Sequence, residues 1–143
     1  MAANLWNHGP KMWKKMKEKG IPRPEFAGNE LADILAYLYR AGLFEPPGKA
    51  ADGKALFTSK ACIRCHSVAG EGGHIAPDLA RSVTLNSVAD FAAALWNHAA
   101  KMQQTLRQQG VPWPSFQKSQ INDLLAYFQS QARKAGLPQE TAH

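Results

Sequence analysis

The chain has 143 residues, 45% of them hydrophobic, and a formal net charge of +6 with an isoelectric point of about 9.5. This length suits one ordinary domain, or one small domain with an extension, and the hydrophobic fraction argues against a disordered chain. No stretch approaches the roughly 20 uninterrupted apolar residues that cross a bilayer, so we expect no membrane span.

Residues 1–45 predict two helices joined by a proline-punctuated turn at Gly20-Ile21-Pro22. The second helix begins after Asn29. The first is rich in lysine, and only Glu18 opposes a basic run of Lys11, Lys14, Lys15, Lys17 and Lys19. Such a run is typical of a solvated helix face, or of a surface that docks an acidic partner. No nucleic-acid motif accompanies it, so we expect no nucleic-acid partner.

The middle of the chain begins with a predicted linker at residues 46–50, which overlaps the Glu45-Pro46-Pro47-Gly48 stretch. Asp52 is predicted to cap a short helix that runs through Lys60. This helix delivers the motif Cys62-Ile63-Arg64-Cys65-His66, and a glycine-rich loop at residues 70–73 follows.

The Cys-x-x-Cys-His motif is typical of c-type haem attachment. Two thiols one helical turn apart can each add to a vinyl group of the porphyrin, and the adjacent His66 then reaches the iron. A thioredoxin-like dithiol would need a βαβ context, and a zinc site would need a second pair of ligands. Neither is present in the pattern, so the sequence predicts one covalent haem c, bound through Cys62 and Cys65.

The last part of the chain predicts another pair of helices. Ser87 and Asp90 have the spacing of a capping box. One helical face then carries Phe91, Leu95, His98 and Met102, until Gly110 and Pro112 end the helix. Ser119 is predicted to cap the final helix, whose apolar stripe is Ile121, Leu124, Leu125 and Phe128.

These two helix pairs are copies of each other at an offset of 90 residues. The strongest matches are Leu5-Trp6-Asn7-His8 with Leu95-Trp96-Asn97-His98, Lys11-Met12 with Lys101-Met102, Pro24 with Pro114, Phe26 with Phe116, and Leu35-Ala36-Tyr37 with Leu125-Ala126-Tyr127. The haem segment between them occurs once. Strand-like alternation is absent, so the predicted fold class is all-α, with one and a half structural units.

Residues 52 to about 131 resemble the class I c-type cytochromes, which are small all-α electron carriers. Gly53 and Phe57 precede the haem motif as in that family, and Leu124-Leu125-Ala126-Tyr127 is similar to its C-terminal helix. Ala76-Pro77-Asp78-Leu79 is similar to its Gly-Pro-x-Leu loop. The resemblance implies that the carbonyl of Pro77 accepts a hydrogen bond from His66 and orients it.

The sixth iron ligand departs from the family pattern, because Trp113 stands where many class I cytochromes carry a ligating methionine. Met102 ends the Trp-Asn-His-x-x-x-Met stretch and is the predicted ligand opposite His66, since a thioether stabilises ferrous iron. His98, one turn earlier, is an alternative, as is Met12 from the leading copy. Aromatic side chains are expected to wall the haem, namely Trp96, Trp113, Phe116, Tyr127 and Phe128.

The leading copy resembles the distal half of a second cytochrome unit, as in tandem or multihaem cytochromes. We therefore divide the chain into a helical extension at residues 1–45, the linker at 46–50, a cytochrome c domain at 51–135 and a tail at 136–143. The leading half, residues 5–44, is expected to pair with its equivalent in a homodimer, to swap into the haem segment, or to form a docking arm.

The predicted function is electron transfer, in a respiratory or multihaem chain and with redox-protein partners that present acidic surfaces. The alternative is a haem enzyme or gas sensor, peroxidase-like, with a labile or absent sixth ligand. Covalent haem attachment in bacteria happens outside the cytoplasm, so a periplasmic location is expected. The chain shows no secretory signal, from which we expect that one was removed or that the chain is part of something longer.

Overall fold

The computed structural model describes residues 2–40, 46–82, 85, 87–117 and 119–137. The all-α prediction is confirmed. The helices are α1 (Ala2–Glu18), α2 (Glu30–Arg40), α3 (Ala50–Ser59), α4 (Val88–Gln108) and α5 (Gln120–Lys134). The 3-10 helices Cys62–Arg64 and Leu79–Arg81 lie in the described part of the chain between α3 and α4. Among the described helices, none combines the length and the apolar character that crossing a membrane requires.

The helices α3 and α5 cross at a close approach that depends on Gly53. A Cβ atom at this position would lie 2.0 Å from the backbone oxygen of Asp123. Beside the crossing, the rings of Phe57 and Phe128 meet edge to face with centroids 5.8 Å apart, and Phe91 of α4 meets Phe128 at 5.7 Å. This buried aromatic core fixes the end of α3, from which the Cys-x-x-Cys-His motif emerges.

The start of α3 differs from the prediction. The helix begins at Ala50, so Asp52 lies in its first turn and is not the cap. The backbone N–H of Lys49 donates instead to Oδ1 of Asp123 on α5, at 2.7 Å. A carboxylate from elsewhere in the fold thus binds the N–H at the start of α3, and a local sequence pattern could not reveal it.

The predicted caps of α4 and α5 have different outcomes. At α4, Ser87 Oγ accepts a hydrogen bond from the N–H of Asp90 at 3.0 Å, as predicted. At α5, the side chain of Ser119 makes no capping bond, because its backbone (φ −82°, ψ 8°) is not in the extended conformation of most caps. The side chain of Gln120 accepts from the N–H of Gln117 at 2.9 Å.

A two-residue antiparallel ladder, which the sequence pattern did not indicate, joins β1 (Ser67–Val68) to β2 (Glu71–Gly72). The turn between them has positive φ at Ala69 (53°) and Gly70 (88°). Glycine adopts this left-handed conformation without steric cost. The glycine-rich loop is therefore the turn and second strand of a small hairpin beside the haem motif.

The two copies of the repeat pack against each other through reciprocal tryptophan bonds. Nε1 of Trp6 donates to the carbonyl of Pro114 at 2.7 Å, and Nε1 of its counterpart Trp96 donates to the carbonyl of Pro24 at 2.8 Å. Each donor and acceptor in one bond has its 90-residue counterpart in the other. The copies are therefore related by an approximate two-fold axis within one chain.

The neighbouring asparagines repeat the same relation. Asn7 donates to the carbonyl of Phe116 at 2.6 Å and accepts from its N–H at 2.8 Å. Asn97 makes the equivalent pair of bonds with Phe26, at 3.1 and 3.3 Å. We call these reciprocal contacts of the tryptophans and asparagines the clasp.

The aromatic contacts of the clasp are only partly symmetric. Trp6 stacks on Trp113 with ring centroids 4.5 Å apart, whereas in the other copy the guanidinium of Arg23, the counterpart of Trp113, lies 5.3 Å from the ring of Trp96. Arg23 also lies 4.1 Å over Trp13. A stacked ring and a cation–π contact thus occupy equivalent places.

Candidate functional site

A cavity of about 360 Å³ lies between the Cys-x-x-Cys-His segment and α4. Its lining is mostly apolar, and it brings together residues that are far apart in the sequence. Among the predicted site residues it is lined by Cys62, Cys65, His66, Pro77, His98, Met102, Phe116 and Phe128. A cavity of this character, with a few convergent polar groups, is typical of a cofactor site.

On one side of the cavity, Nδ1 of His66 lies 2.9 Å from the carbonyl oxygen of Pro77. A carbonyl oxygen only accepts hydrogen bonds, so Nδ1 must carry the proton. The other ring nitrogen, Nε2, then has its lone pair available for a metal. The resemblance to the class I cytochromes implied this hydrogen bond, and His66 and the carbonyl of Pro77 lie at the distance that it requires.

The loop that carries Pro77 is held by the carboxylate of Asp78. This carboxylate accepts hydrogen bonds from the backbone N–H groups of Ala69 (3.0 Å), Gly70 (2.7 Å) and Ala80 (2.8 Å). Burial acts to raise the pKa of Asp78, but these bonds and one from the side chain of Ser67 outweigh it and hold the pKa below its ordinary value. The hairpin and the Pro77 loop are thus tied together by one anion.

The two cysteines form no disulfide with each other, and both line the cavity. Burial raises the pKa of the Cys62 thiol to about 11, so the uncharged form is strongly favoured there. Within the described residues, no three His, Cys, Asp or Glu side chains gather as a metal cluster. The environment of Cys62 fits an uncharged thioether better than the thiolate of a zinc site or reactive dithiol.

The opposite wall of the cavity is the face of α4 that the sequence analysis identified. Phe91, Leu95, His98 and Met102 all line the cavity. The ring centroids of His66 and His98 are 6.5 Å apart. This separation leaves room for one metal with bonds of about 2 Å to each ring. His98 is exposed, however, whereas Met102 is half-buried against the hydrophobic core.

Three of the aromatic residues expected to wall the haem lie outside the lining of the cavity. Trp96 and Trp113 belong to the clasp, and Tyr127 packs against Phe57 at a centroid distance of 6.0 Å. Trp96 lies outside the lining because its ring turns toward the leading copy, where it donates to the carbonyl of Pro24. Phe116 and Phe128 do line the cavity.

Sequence reasoning missed two features of the cavity. Trp6, from the leading copy, lines it and is only 4% exposed. The match of Trp6 with Trp96 is evident in the sequence, but a repeat alone does not show that the side chain of each tryptophan contacts the other copy. Lys60 and Lys101 also line the cavity and can neutralise the two carboxylates that a haem carries.

The residues present therefore fit a haem. They supply two sulfur atoms for covalent attachment, one oriented imidazole, apolar walls and two cations. When bound, the haem supplies an iron that changes its oxidation state by one electron.

Comparison with known proteins agrees with this assignment. The family model for cytochrome c matches residues 50–132, which is more than half of the chain. Neither the search of curated proteins nor that of solved structures yields a match. The chain belongs to the cytochrome c family of haem-binding electron-transfer proteins, which implies a covalently attached haem c, and its Cys62 and Cys65 are consistent with a Cys-x-x-Cys-His attachment site.

Proposed function

We propose that this protein carries single electrons with its haem iron held between His66 and Met102. The observation that carries the proposal is the arrangement across the cavity. His66 is oriented by Pro77 on one side, and Met102 lies on the α4 face that forms the other. An iron held by both side chains would have no open position for substrate, and it would supply one-electron transfer.

Met102 is preferred to His98 because of its surroundings. A thioether is apolar and suits the place that Met102 occupies, packed against the hydrophobic core. Desolvation, His66 and Lys101 lower the pKa of His98, which favours the neutral imidazole, and a neutral imidazole remains an alternative ligand. Methionine ligation would raise the reduction potential relative to bis-histidine ligation.

The wider setting of the proposal is a periplasmic, respiratory or multihaem electron-transfer chain. Members of the family are typically found outside the cytoplasm. The lysines of α1 are exposed, and they provide a surface on which a redox partner with acidic groups would dock.

The test is to compare Met102→Ala with His98→Ala in the haem-loaded protein. Met102→Ala is expected to abolish the iron–thioether charge-transfer band and to lower the reduction potential by on the order of tenths of a volt, because axial ligands span about 0.8 V across proteins. His98→Ala should keep the band. Gln104→Ala, on the exposed side of α4, is the control.

Two results would contradict the proposal. If the band survived in Met102→Ala and disappeared in His98→Ala, histidine would be the ligand. Prompt stoichiometric binding of carbon monoxide to the ferrous wild-type protein would instead favour the alternative function, a haem enzyme or gas sensor with a labile sixth position.

A further inference from the structure

The leading copy presents a largely exposed face on α1 and α2, whose residues are the 90-residue counterparts of residues at the cavity and at the α3–α5 crossing of the trailing copy. Leu5, His8 and Met12 on α1 are the counterparts of Leu95, His98 and Met102, which line the cavity. On α2, Asp33, Ile34 and Tyr37 are the counterparts of Asp123, Leu124 and Tyr127. We call these six residues, Leu5, His8, Met12, Asp33, Ile34 and Tyr37, the open face.

The difference between the copies is what covers them. Leu124 and Tyr127 are 3% and 8% exposed, because α3 and the haem segment lie over α5. Their counterparts Ile34 and Tyr37 are 46% and 74% exposed, and Met12 is 37% exposed. Among the described residues, therefore, nothing covers the open face in the way that the segment 49–82 covers the trailing copy.

A polar residue of the open face points to the same kind of cover. Asp123 accepts the N–H of Lys49 at the start of α3, at 2.7 Å. Asp33 is identical to it in the repeat and is exposed on α2. A purely apolar partner would make no use of a carboxylate at the position of Asp33. The start of a second α3-like helix would donate a backbone N–H to it, as Lys49 does to Asp123.

The clasp holds the helix that carries Leu5, His8 and Met12 in the same way as it holds α4. It holds α1 against the 114–116 turn of the trailing copy as it holds α4 against the 24–26 turn of the leading copy. Leu5 and Leu95, with Trp6 and Trp96, line a void of about 10 Å³ between the copies. The two copies are thus oriented alike about the approximate two-fold axis.

We propose that the open face is half of a second haem site. It binds a polypeptide segment that carries a covalent c-type haem on Cys-x-x-Cys-His, and Met12 supplies the sixth ligand to that iron. The segment is not residues 49–82 of this chain, since these lie on α5 through the close contact at Gly53. In a second copy of the chain, residues 49–82 likewise lie on that copy's own α5 and are not available to the open face.

The position of the tryptophans adds a consequence. Trp6 reaches from the leading copy into the lining of the trailing cavity. Its counterpart Trp96, which lies outside that cavity, would by the same symmetry line the second one. The two haems would then lie on opposite sides of the clasp, each contacted by a tryptophan from the other copy.

The inference rests on the proposed function in one respect, because Met12 is assigned by analogy with Met102. The test uses the haem-loaded protein and a haem peptide from peptic digestion of a single-haem cytochrome c. The iron of this peptide has a histidine on one side and an open sixth position. Titration into the protein is expected to give a low-spin, thioether-ligated difference spectrum that saturates at one peptide per chain.

Met12→Ala should remove the thioether band from the difference spectrum and weaken binding by at least about tenfold. Tyr37→Glu, which places a charge on the open face, should weaken binding by a similar factor. Lys14→Ala, exposed on α1 outside the open face, is the control and should bind as wild type.

A second measurement uses a fusion in which a copy of residues 46–90 directly precedes Met1, since residue 90 is followed by the counterpart of Met1 in the repeat. Two low-spin haems are expected by mass and spectrum, and Met12→Ala should make one of them high-spin. The inference is overturned if the fusion carries a five-coordinate second haem, or if neither measurement depends on Met12.

Failure of this inference can be distinguished from failure of the proposed function. The protein's own haem is measured before any peptide is added, and it reports only on Met102. A contrary result would be self-association of the protein through the open face, with no peptide binding and with the association abolished by Tyr37→Glu. That result would assign the face to a second copy of the chain and overturn the inference.

Discussion

At the scale of single residues, the repeated Trp-Asn-His-x-x-x-Met stretch serves two purposes. The tryptophan and asparagine join the copies, because each bonds to a backbone carbonyl of the other copy. In α4 the histidine and methionine face the cavity. The sequence identifies all four positions, but it does not separate those that hold the fold from those that meet the cofactor.

The two asparagines of the clasp provide a matched pair of substitutions. Asn7→Ala leaves the carbonyl and N–H of Phe116 without their partner, and Phe116 is 4% exposed. We expect the free energy of unfolding to fall by about 1–3 kcal/mol, the usual cost of unpaired buried polar groups.

The counterpart Asn97→Ala breaks longer bonds, 3.1 and 3.3 Å, at an exposed position. Its effect is expected to stay below about 1 kcal/mol. Chemical denaturation of the haem-loaded protein measures both. Equal effects, or a larger effect for Asn97→Ala, would contradict the geometry of the clasp.

At the scale of elements, the crossing of α3 and α5 determines where the haem motif lies. The sequence analysis predicted helices in both places and identified Gly53 and Phe57 by resemblance. It placed the start of α3 wrongly, because the N–H of Lys49 is bound by Asp123, 74 residues away. Patterns with helical periodicity locate helices, whereas bonds between distant elements decide where a helix begins.

A methyl group at Gly53 is expected to disturb this crossing. In Gly53→Ala the new Cβ would collide with the backbone of Asp123, which cannot move as freely as a side chain. We expect a loss of about 1–3 kcal/mol in stability or more, as for overpacked cores. Lys54→Ala, on the exposed side of the same helix, is the control in the same denaturation experiment, and a loss no larger than the control's would refute the close approach.

The loop that orients His66 should be sensitive to acid through Asp78. Its pKa is lowered in the folded protein, so the carboxylate contributes stability above its unfolded pKa of about 3.9. That contribution is lost as the pH falls through the lower, folded value. Asp78→Asn should flatten this part of the pH–stability curve below about pH 4. The curve should be followed by the absorbance of the haem, and an unchanged slope would speak against the carboxylate's role.

At the scale of the whole molecule, the cytochrome c match at residues 50–132 is preceded by a helix pair that repeats its last two helices, and the two copies are related by an approximate two-fold axis. The repeat was evident in the sequence, and pairing of the leading half with an equivalent in another molecule was among the expectations. In the structure the leading half packs on the trailing half of the same chain. Sequence identity at an offset of 90 residues shows that two parts are alike, but not how they contact each other.

At the site, too, the sequence does not show contacts that depend on how distant elements pack. The haem motif, Pro77 and the α4 face were identified because their chemistry lies in short, local patterns. Trp6 and Lys60 were missed, since they reach the cavity only through the packing of other elements. Trp96 was expected at the haem because a large apolar macrocycle needs aromatic contacts, whereas in the structure its ring donates a hydrogen bond to Pro24 of the leading copy.

Mass spectrometry of the protein matured in a secretion-competent host tests the central claim most directly. The account predicts the mass of the polypeptide plus one haem, resistant to denaturation and acid-acetone extraction. It predicts that Cys62→Ala and Cys65→Ala together remove this added mass. The bare polypeptide mass in wild type, or a haem that extracts freely, would contradict it.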